Sequence, residues 1–308
     1  MTNELYSACR LCPFECGVDR SVSKGRCGQS AEMRVALAYP HLWEEPCLSG
    51  QGIEEPIKGS GAVFFVGCSL GCVYCQNRKI SGKNSTAGEL ITEEELADEF
   101  LRLQSLGVHN INLVTAAHFT PSVIKSLEIA RAKGLMLPVV YNSSGYESEN
   151  TIDMLSGYVD VYMPDFKYFS SRMSSLYSGA PEYPEVCRKA IKRMVRQRGE
   201  PQFDENGFML SGVIVRHLVL PGSDADSRKI ISALYEDFGD SGIVLSLMNQ
   251  YTPMPDMPYP ELNERVSESA YLRVVEKAQD LGFKYIYTQS GESASESFIP
   301  EFAGSTRR

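Results

Sequence analysis

The chain has 308 residues, 43% of them hydrophobic and 22% charged, which suits a large folded core and excludes a disordered, collagen-like or coiled-coil chain. Its 30 basic and 39 acidic residues leave a net charge of -9, and no basic run stands out, so the field repels a phosphate backbone and no nucleic-acid partner is expected. No apolar run approaches the roughly 20 residues that span a bilayer, and the first ten residues lack a secretion signal, so a cytoplasmic protein with no membrane partner is expected, its nine cysteines kept reduced.

Residues 1–58 read as a small Cys-rich N-terminal element. The segment C-R-L-C-P-F-E-C-G-V-D-R, completed by G-R-C-G, holds Cys9, Cys12, Cys16 and Cys27. Four thiolates suffice for a tetrahedral zinc ion or for an iron-sulfur cluster with no open iron. Both metals stay open at this second site. Cys47, in E-E-P-C-L-S-G, falls in a turn-like stretch and reads as an exposed thiol.

From Gly61 onward, short apolar runs alternate with helical patterns, the rhythm of repeated βα units. The runs are Ala62 to Val66, Ile111 to Val114, Leu137 to Tyr141, Val159 to Met163, Val213 to Leu220 and Ile243 to Met248. Thr92 with Glu95 predicts a capping box, and Gly107 stops that helix. A second helix opens at Thr120-Pro121 and closes at Gly134, another lies between Pro184 and Gly199, and Gly239 and Gly282 follow two more. No Gly-rich dinucleotide fingerprint follows any run. The expected fold is therefore α/β, a parallel (β/α)6-type partial barrel over 59–290 with a polar C-terminal tail over 291–308. Cys187 reads as a small buried hydrophobe, and His217 as a buried histidine facing away from Arg216 by strand alternation. The proline-rich loop after Asn249 reads as a lid or as a stiff connector.

The strongest motif follows the first run. In G-C-S-L-G-C-V-Y-C-Q-N, Cys68, Cys72 and Cys75 stand at C-x3-C-x2-C spacing, at the barrel face where active sites are built. A 4Fe-4S cluster on three thiolates keeps one iron open. That iron can be chelated by a small molecule bearing an amine and a carboxylate, of which S-adenosylmethionine is one. A structural zinc site normally closes four ligands, and this segment has no fourth Cys or His.

With Tyr74 as its aromatic residue, the C-x3-C-x-aromatic-C arrangement resembles the signature of radical S-adenosylmethionine enzymes, and most closely the pyruvate formate-lyase activating enzymes and their homologues. Gly59 to Gly61 and Y-C-Q-N-R around Cys75 belong to the likeness, as do Tyr141-Asn142-Ser143-Ser144-Gly145-Tyr146, Pro164-Asp165-Phe166-Lys167 and V-R-H-L-V-L-P-G from Val215. The resemblance implies a radical core barrel in which Tyr74, Asn142, Ser144, Asp165, Lys167 and Arg216 lie at the cofactor. Asp165 and Lys167 would take its amino acid end, where an ammonium meets a carboxylate and a carboxylate an ammonium. It also implies reductive cleavage to a 5'-deoxyadenosyl radical, with reduced flavodoxin or ferredoxin as electron donor, and abstraction of a hydrogen atom. The substrate would be a backbone glycine of a glycyl-radical enzyme, or another protein, peptide or small molecule. A non-catalytic iron-sulfur or zinc module is the contrasting reading.

Two departures from the family pattern stand out. A G-G-E motif is replaced by Thr115-Ala116-Ala117-His118, and an imidazole cannot replace a carboxylate opposite an ammonium. His118 then reads as a hydrogen-bonded rim histidine or as a substrate-side donor. The stretch from Arg78 to Ile91 holds no cysteine, so any further metal belongs to the N-terminal group.

Overall fold

A computed structural model of the protein describes residues 2–50, 58–83, 85–254 and 257–289. Helix α1 (Thr2–Ser7) opens the chain, followed by β1 (Arg34–His41), the short α2 (Pro46–Ser49), β2 (Ser60–Phe65), α3 (Arg78–Ser81) and β3 (Glu89–Leu90). Regular alternation then runs through α4 (Glu93–Ser105), β4 (Ile111–Val114), α5 (Thr120–Ala132), β5 (Val139–Ser143), α6 (Glu149–Met154) and β6 (Val161–Pro164). After α7 (Ser171–Ser178) and α8 (Tyr183–Arg198) come β7 (Gln202–Phe203), β8 (Met209–Leu218), α9 (Asp224–Phe238), β9 (Val244–Met248), α10 (Glu268–Leu281) and β10 (Ile286–Thr288).

The strands form one open sheet in the order β10, β9, β8, β6, β5, β4, β2, β1, β3. The six expected runs pair in parallel in sequence order, with β10 added in parallel to β9. This is the mostly parallel partial barrel that the alternation predicts. Every position of β2, β4, β5, β6 and β9 is buried, as strands covered on both faces require. On the outer face Tyr141, Tyr162, Val213 and Leu245 pack under the helices. The inner face presents Val140, Val161, Met163, Ile214 and Val244 to the lumen. The capping box forms as predicted, with Glu95 N–H donating to Thr92 Oγ1 at 3.2 Å and Thr92 N–H to Glu95 Oε2 at 2.9 Å.

The differences lie at the ends of the sheet. β1 pairs antiparallel with β2, so the sheet reaches across the expected boundary at residue 58. Its mixed buried and half-buried pattern is distinct from the continuous apolar runs of the βα units. β8 begins earlier than its apolar run because β7 folds back on it as a hairpin, where Asp204 Oδ1 accepts from the Asn206 and Phe208 amides. β5 starts one residue after Pro138, which has no amide hydrogen to pair.

Cys47 corrects the expectation of an exposed thiol. It is 2% exposed and, with Leu48, packs on the inner-face residues of the barrel. Asn110, just before β4, donates from Nδ2 to Leu48 O at 2.9 Å. The turn around α2 thus plugs the N-terminal mouth of the barrel, opposite the strand ends where Cys68 lies. The polar tail beyond Gln289 lies outside the described residues. Among those described, no helix is long and apolar enough to cross a membrane.

Candidate active site

Strand alternation decides what enters the lumen. Asn142 on β5, Asp165 after β6, Arg216 on β8 and Ser246 on β9 continue the inner-face positions above the apolar plug. Together with Cys68, Cys72, Cys75, Tyr74, Ser144 and Lys167 they line a cavity of about 530 Å³. Every residue expected at the first cluster and the cofactor is therefore brought to one place.

A charged network fills one wall. Lys167 Nζ donates to Asp165 Oδ2 at 2.6 Å, and Arg216 Nε to Asp165 Oδ1 at 3.0 Å. Arg216 also donates from Nη2 to Asn142 Oδ1 at 2.6 Å and stands 3.5 Å from Glu44 Oε2. Burial raises the Asp165 carboxyl, but Lys167 and then Arg216 outweigh it and hold the group below the usual carboxylate range. Burial likewise opposes the charge on Lys167, and Asp165 reverses that, so both stay ionised.

The three thiols line the same cavity, half-buried. Burial and then the neighbouring Cys72 push Cys68 up to about 12, and burial also raises Cys75. Thiols so placed ionise only against compensating positive charge, which iron supplies, so the donor set fits a cluster. Among the described residues no three Cys, His, Asp or Glu side chains converge as they would on a single metal ion. A cubane, with a separate iron for each thiolate, sets its sulfurs farther apart. Ser178 Oγ donates to Cys72 Sγ at 3.0 Å and Ser81 Oγ to Cys75 Sγ at 3.3 Å. Hydrogen bonds to sulfur are one lever on cluster potential. Tyr74 is buried, edge-on to Tyr168, Tyr177 and Tyr251.

Glycine is required where the β5 turn meets the network. Gly145 has φ +74°, and a Cβ there would lie 2.2 Å from Asp165 O and 2.7 Å from Cys187 Sγ. Cys187 is the buried hydrophobe expected of it. Below the turn, Glu147 Oε2 accepts from Ser143 Oγ at 3.0 Å, and burial pushes its carboxyl from 4.5 up to about 8. A carboxyl raised in the folded state makes the unfolded chain the first to lose its proton. Stability is then fully present below about pH 4.3 and falls as pH rises towards 8. Glu147→Gln is expected to flatten that fall and to add on the order of 4 kcal/mol at pH 8, read from urea midpoints at pH 5 and pH 8. A variant that keeps the wild-type slope would remove Glu147 as its cause.

The replaced G-G-E stretch also has a definite placement. Thr115 lines the cavity with φ +62°, a conformation that strains a β-branched residue. His118 is outside the cavity lining, buried, with Nε2–H donating to Val66 O at 2.8 Å. Burial and Arg20 push it down to about 3, so it is the neutral rim histidine of the two readings. His217 faces away from Arg216, its Nδ1–H donating to Phe166 O at 2.7 Å.

Four contributors carry no motif in the sequence. Arg20 is fully buried, bonds Gln29 O and Ser30 O within the N-terminal element, and ties that element to the barrel through His118 O. His41, Glu44 and Glu45 line the lower cavity, and only β1 and the plug bring them there. The N-terminal cysteines share one neighbourhood. Burial pushes the Cys12 thiol up to about 11, aided by the charges of Cys27, Cys9 and Cys16. Cys68 N–H donates to Cys27 O at 3.3 Å, so the two cysteine groups adjoin. The loop after β9 is anchored at its start, where Gln76 Nε2 donates to Gln250 O at 2.9 Å and Tyr251 OH to Leu262 O at 2.6 Å.

An uncharacterized protein of Methanocaldococcus jannaschii is 27% identical over 294 residues, covering 92% of this chain and 77% of its own. SuiB of Streptococcus suis, solved bound to precursor peptide SuiA, matches 72% of this chain with a TM-score of 0.49 and 12% identity. The chain spans 46% of SuiB, about half its length. A domain of the pyruvate-formate lyase-activating enzyme from Bacteroides vulgatus matches 56% of this chain and 91% of its own, with a TM-score of 0.39 and 15% identity. The family model for the Radical SAM superfamily matches residues 62–234, from β2 to α9, and since that is more than half of the residues and includes five of the strands around the cavity, the chain belongs to the radical SAM superfamily.

Proposed function

We propose that Cys68, Cys72 and Cys75 hold the 4Fe-4S cluster of this radical SAM enzyme, and that Asp165, Lys167, Arg216, Asn142, Ser144 and Tyr74 form the S-adenosylmethionine site. When bound and reduced, the cluster supplies the electron that breaks the cofactor's sulfonium bond and releases a 5'-deoxyadenosyl radical. The chain's own residues bind and orient. Asp165 and Lys167 present a carboxylate and an ammonium as a pair, and Arg216 with Asn142 fixes the carboxylate from the far side. The tyrosines packed on Tyr74 cover the thiol wall and exclude water.

The observation that carries this reading is the meeting of three thiols and the Asp165, Lys167 and Arg216 network in one cavity. The experiment is reductive assay of the anaerobically reconstituted protein, expected to convert S-adenosylmethionine to methionine and 5'-deoxyadenosine. Absence of both products would overturn it. The finer reading by resemblance is activation of a glycyl-radical enzyme, with reduced flavodoxin or ferredoxin as donor. A backbone-glycine radical signal in a partner enzyme tests that step.

The Cys-rich element of residues 1–58 would serve the core at 59–290 as an electron relay, with Cys9, Cys12, Cys16 and Cys27 holding a second cluster. The hydrogen bond from Cys68 to Cys27 supports this, because it makes the two cysteine groups neighbours. Replacing Cys68, Cys72 and Cys75 together with Ala is expected to leave a brown protein with about four irons per chain. A colourless variant with about one zinc would make the element a structural knuckle instead.

A further inference from the structure

We infer that the floor of the barrel lumen is a subsite for an organic cation, a primary ammonium or guanidinium carried by the substrate and held by Glu45 beside Glu44. The inference rests on reading this cavity as the radical site, and it adds the chemical class of what enters beneath the cofactor.

The charges of the lumen do not balance. Three carboxylates, Glu44, Glu45 and Asp165, line it with two cations, Lys167 and Arg216. Both cations are committed to Asp165, and Arg216 is further divided among Asn142, Glu44 and the nearby charge of Glu45. Asn112 Nδ2 serves the other Glu44 oxygen at 3.1 Å. Glu45 is 8% exposed, and its Oε2 has no hydrogen-bond partner among the described residues. A buried acceptor left unmet is destabilising. Burial pushes its carboxyl up, aided by Glu44, against the pull of Arg216 and a hydrogen bond from Ser246, and a second cation beside it would complete the reversal. His41 is no candidate partner, since burial and Arg216 push it down to about 4.

The mount is rigid and the carboxylate is not. Glu45 leads directly into the plug, where Cys47 and Leu48 are packed among inner-face residues and Ser49 Oγ donates to Glu44 O at 2.9 Å. The terminal torsion of a glutamate is soft, so the carboxylate can adjust to a cation without moving the backbone. The remaining lining of this end includes Trp43, His41 and Tyr287, aromatic rings that suit an organic cation. No third carboxylate, histidine or cysteine converges there as on a metal ion, among the described residues.

Trp43 is the single tryptophan of the chain and neighbours both glutamates, so its fluorescence reports on the subsite. The test titrates the cluster-loaded enzyme with n-pentylammonium and n-butylguanidinium against neutral n-pentanol, by fluorescence and calorimetry, with and without saturating S-adenosylmethionine. At least a tenfold preference for the cations is expected, present with the cofactor bound and abolished by Glu45→Gln. Equal binding of cation and alcohol by the wild type would overturn the proposal, as would a preference that survives Glu45→Gln. Displacement of the probe by S-adenosylmethionine would place the cofactor's own ammonium on Glu45 and overturn it too. Reductive cleavage is run on the same wild-type preparation. Failure there removes the radical reading, whereas intact cleavage without cation preference removes only the subsite.

Discussion

Cys72→Ala is expected to abolish the conversion of S-adenosylmethionine to methionine and 5'-deoxyadenosine, to below the detection limit of a reductive assay that registers the wild type. The cluster would lose a thiolate that nothing nearby replaces. The nearest candidate, Ser178, already donates its hydroxyl proton to Cys72 and shares Tyr168 OH at 2.8 Å. Fold stability should stay close to the wild type, because a half-buried cysteine gives up only a small side chain in becoming alanine. Iron content and absorbance of the variant, measured beside the assay, separate loss of the cluster from loss of the fold. Undiminished cleavage would remove Cys72 from the ligand set and, with it, the reading of the whole motif.

Asp165→Asn and Lys167→Met should both weaken S-adenosylmethionine binding roughly tenfold to a hundredfold, since each deletes a charge-assisted hydrogen bond of about 1.5 to 3 kcal/mol. The network separates them in stability. Without the Asp165 carboxylate, two buried cations face each other, and losing one partner of a buried ion pair costs about 3 to 5 kcal/mol. Without Lys167, Arg216 still neutralises Asp165 at 3.0 Å, so the fold should lose less. The pH dependence has a definite sign. Asp165 is held below 3.8 in the folded protein, so its contribution is present above the unfolded value and lost as pH falls through the lower folded one. The gap between wild type and Asp165→Asn should therefore narrow in acid, below about pH 4. Urea unfolding at pH 7 and pH 3.5 measures it, with calorimetric titration of the cofactor. Unchanged titrations in both variants would show that this pair does not meet the cofactor.

Local patterns were enough to anticipate which residues meet in the cavity. C-x3-C-x2-C lies after an apolar run, Asp165 and Lys167 after another, and Arg216 within a third, and strand ends of a parallel sheet bring such positions together without further information. The capping box at Thr92 and the helix closing at Gly134 are set by contacts within a few residues. Glu44 and Glu45 are different. In H-L-W-E-E-P they look like two solvated acids before a turn. Their burial depends on β1 pairing with β2 and on Cys47 and Leu48 filling the barrel mouth.

By itself, the sequence determined the βα rhythm, the three-cysteine motif and the order of the polar residues at the strand ends, because each depends on spacing along the chain and on the twofold alternation of strands. Only the tertiary structure decided that the N-terminal segment supplies a strand beside β2 and the lumen floor, that His118 turns away from the cavity, and that Arg20 joins the Cys-rich element to the barrel. Those outcomes turn on which buried polar group finds which partner across long stretches of chain, for instance Arg20 on His118 O or Asn110 on Leu48 O. Such pairings follow from packing and leave no periodic trace in the residues themselves.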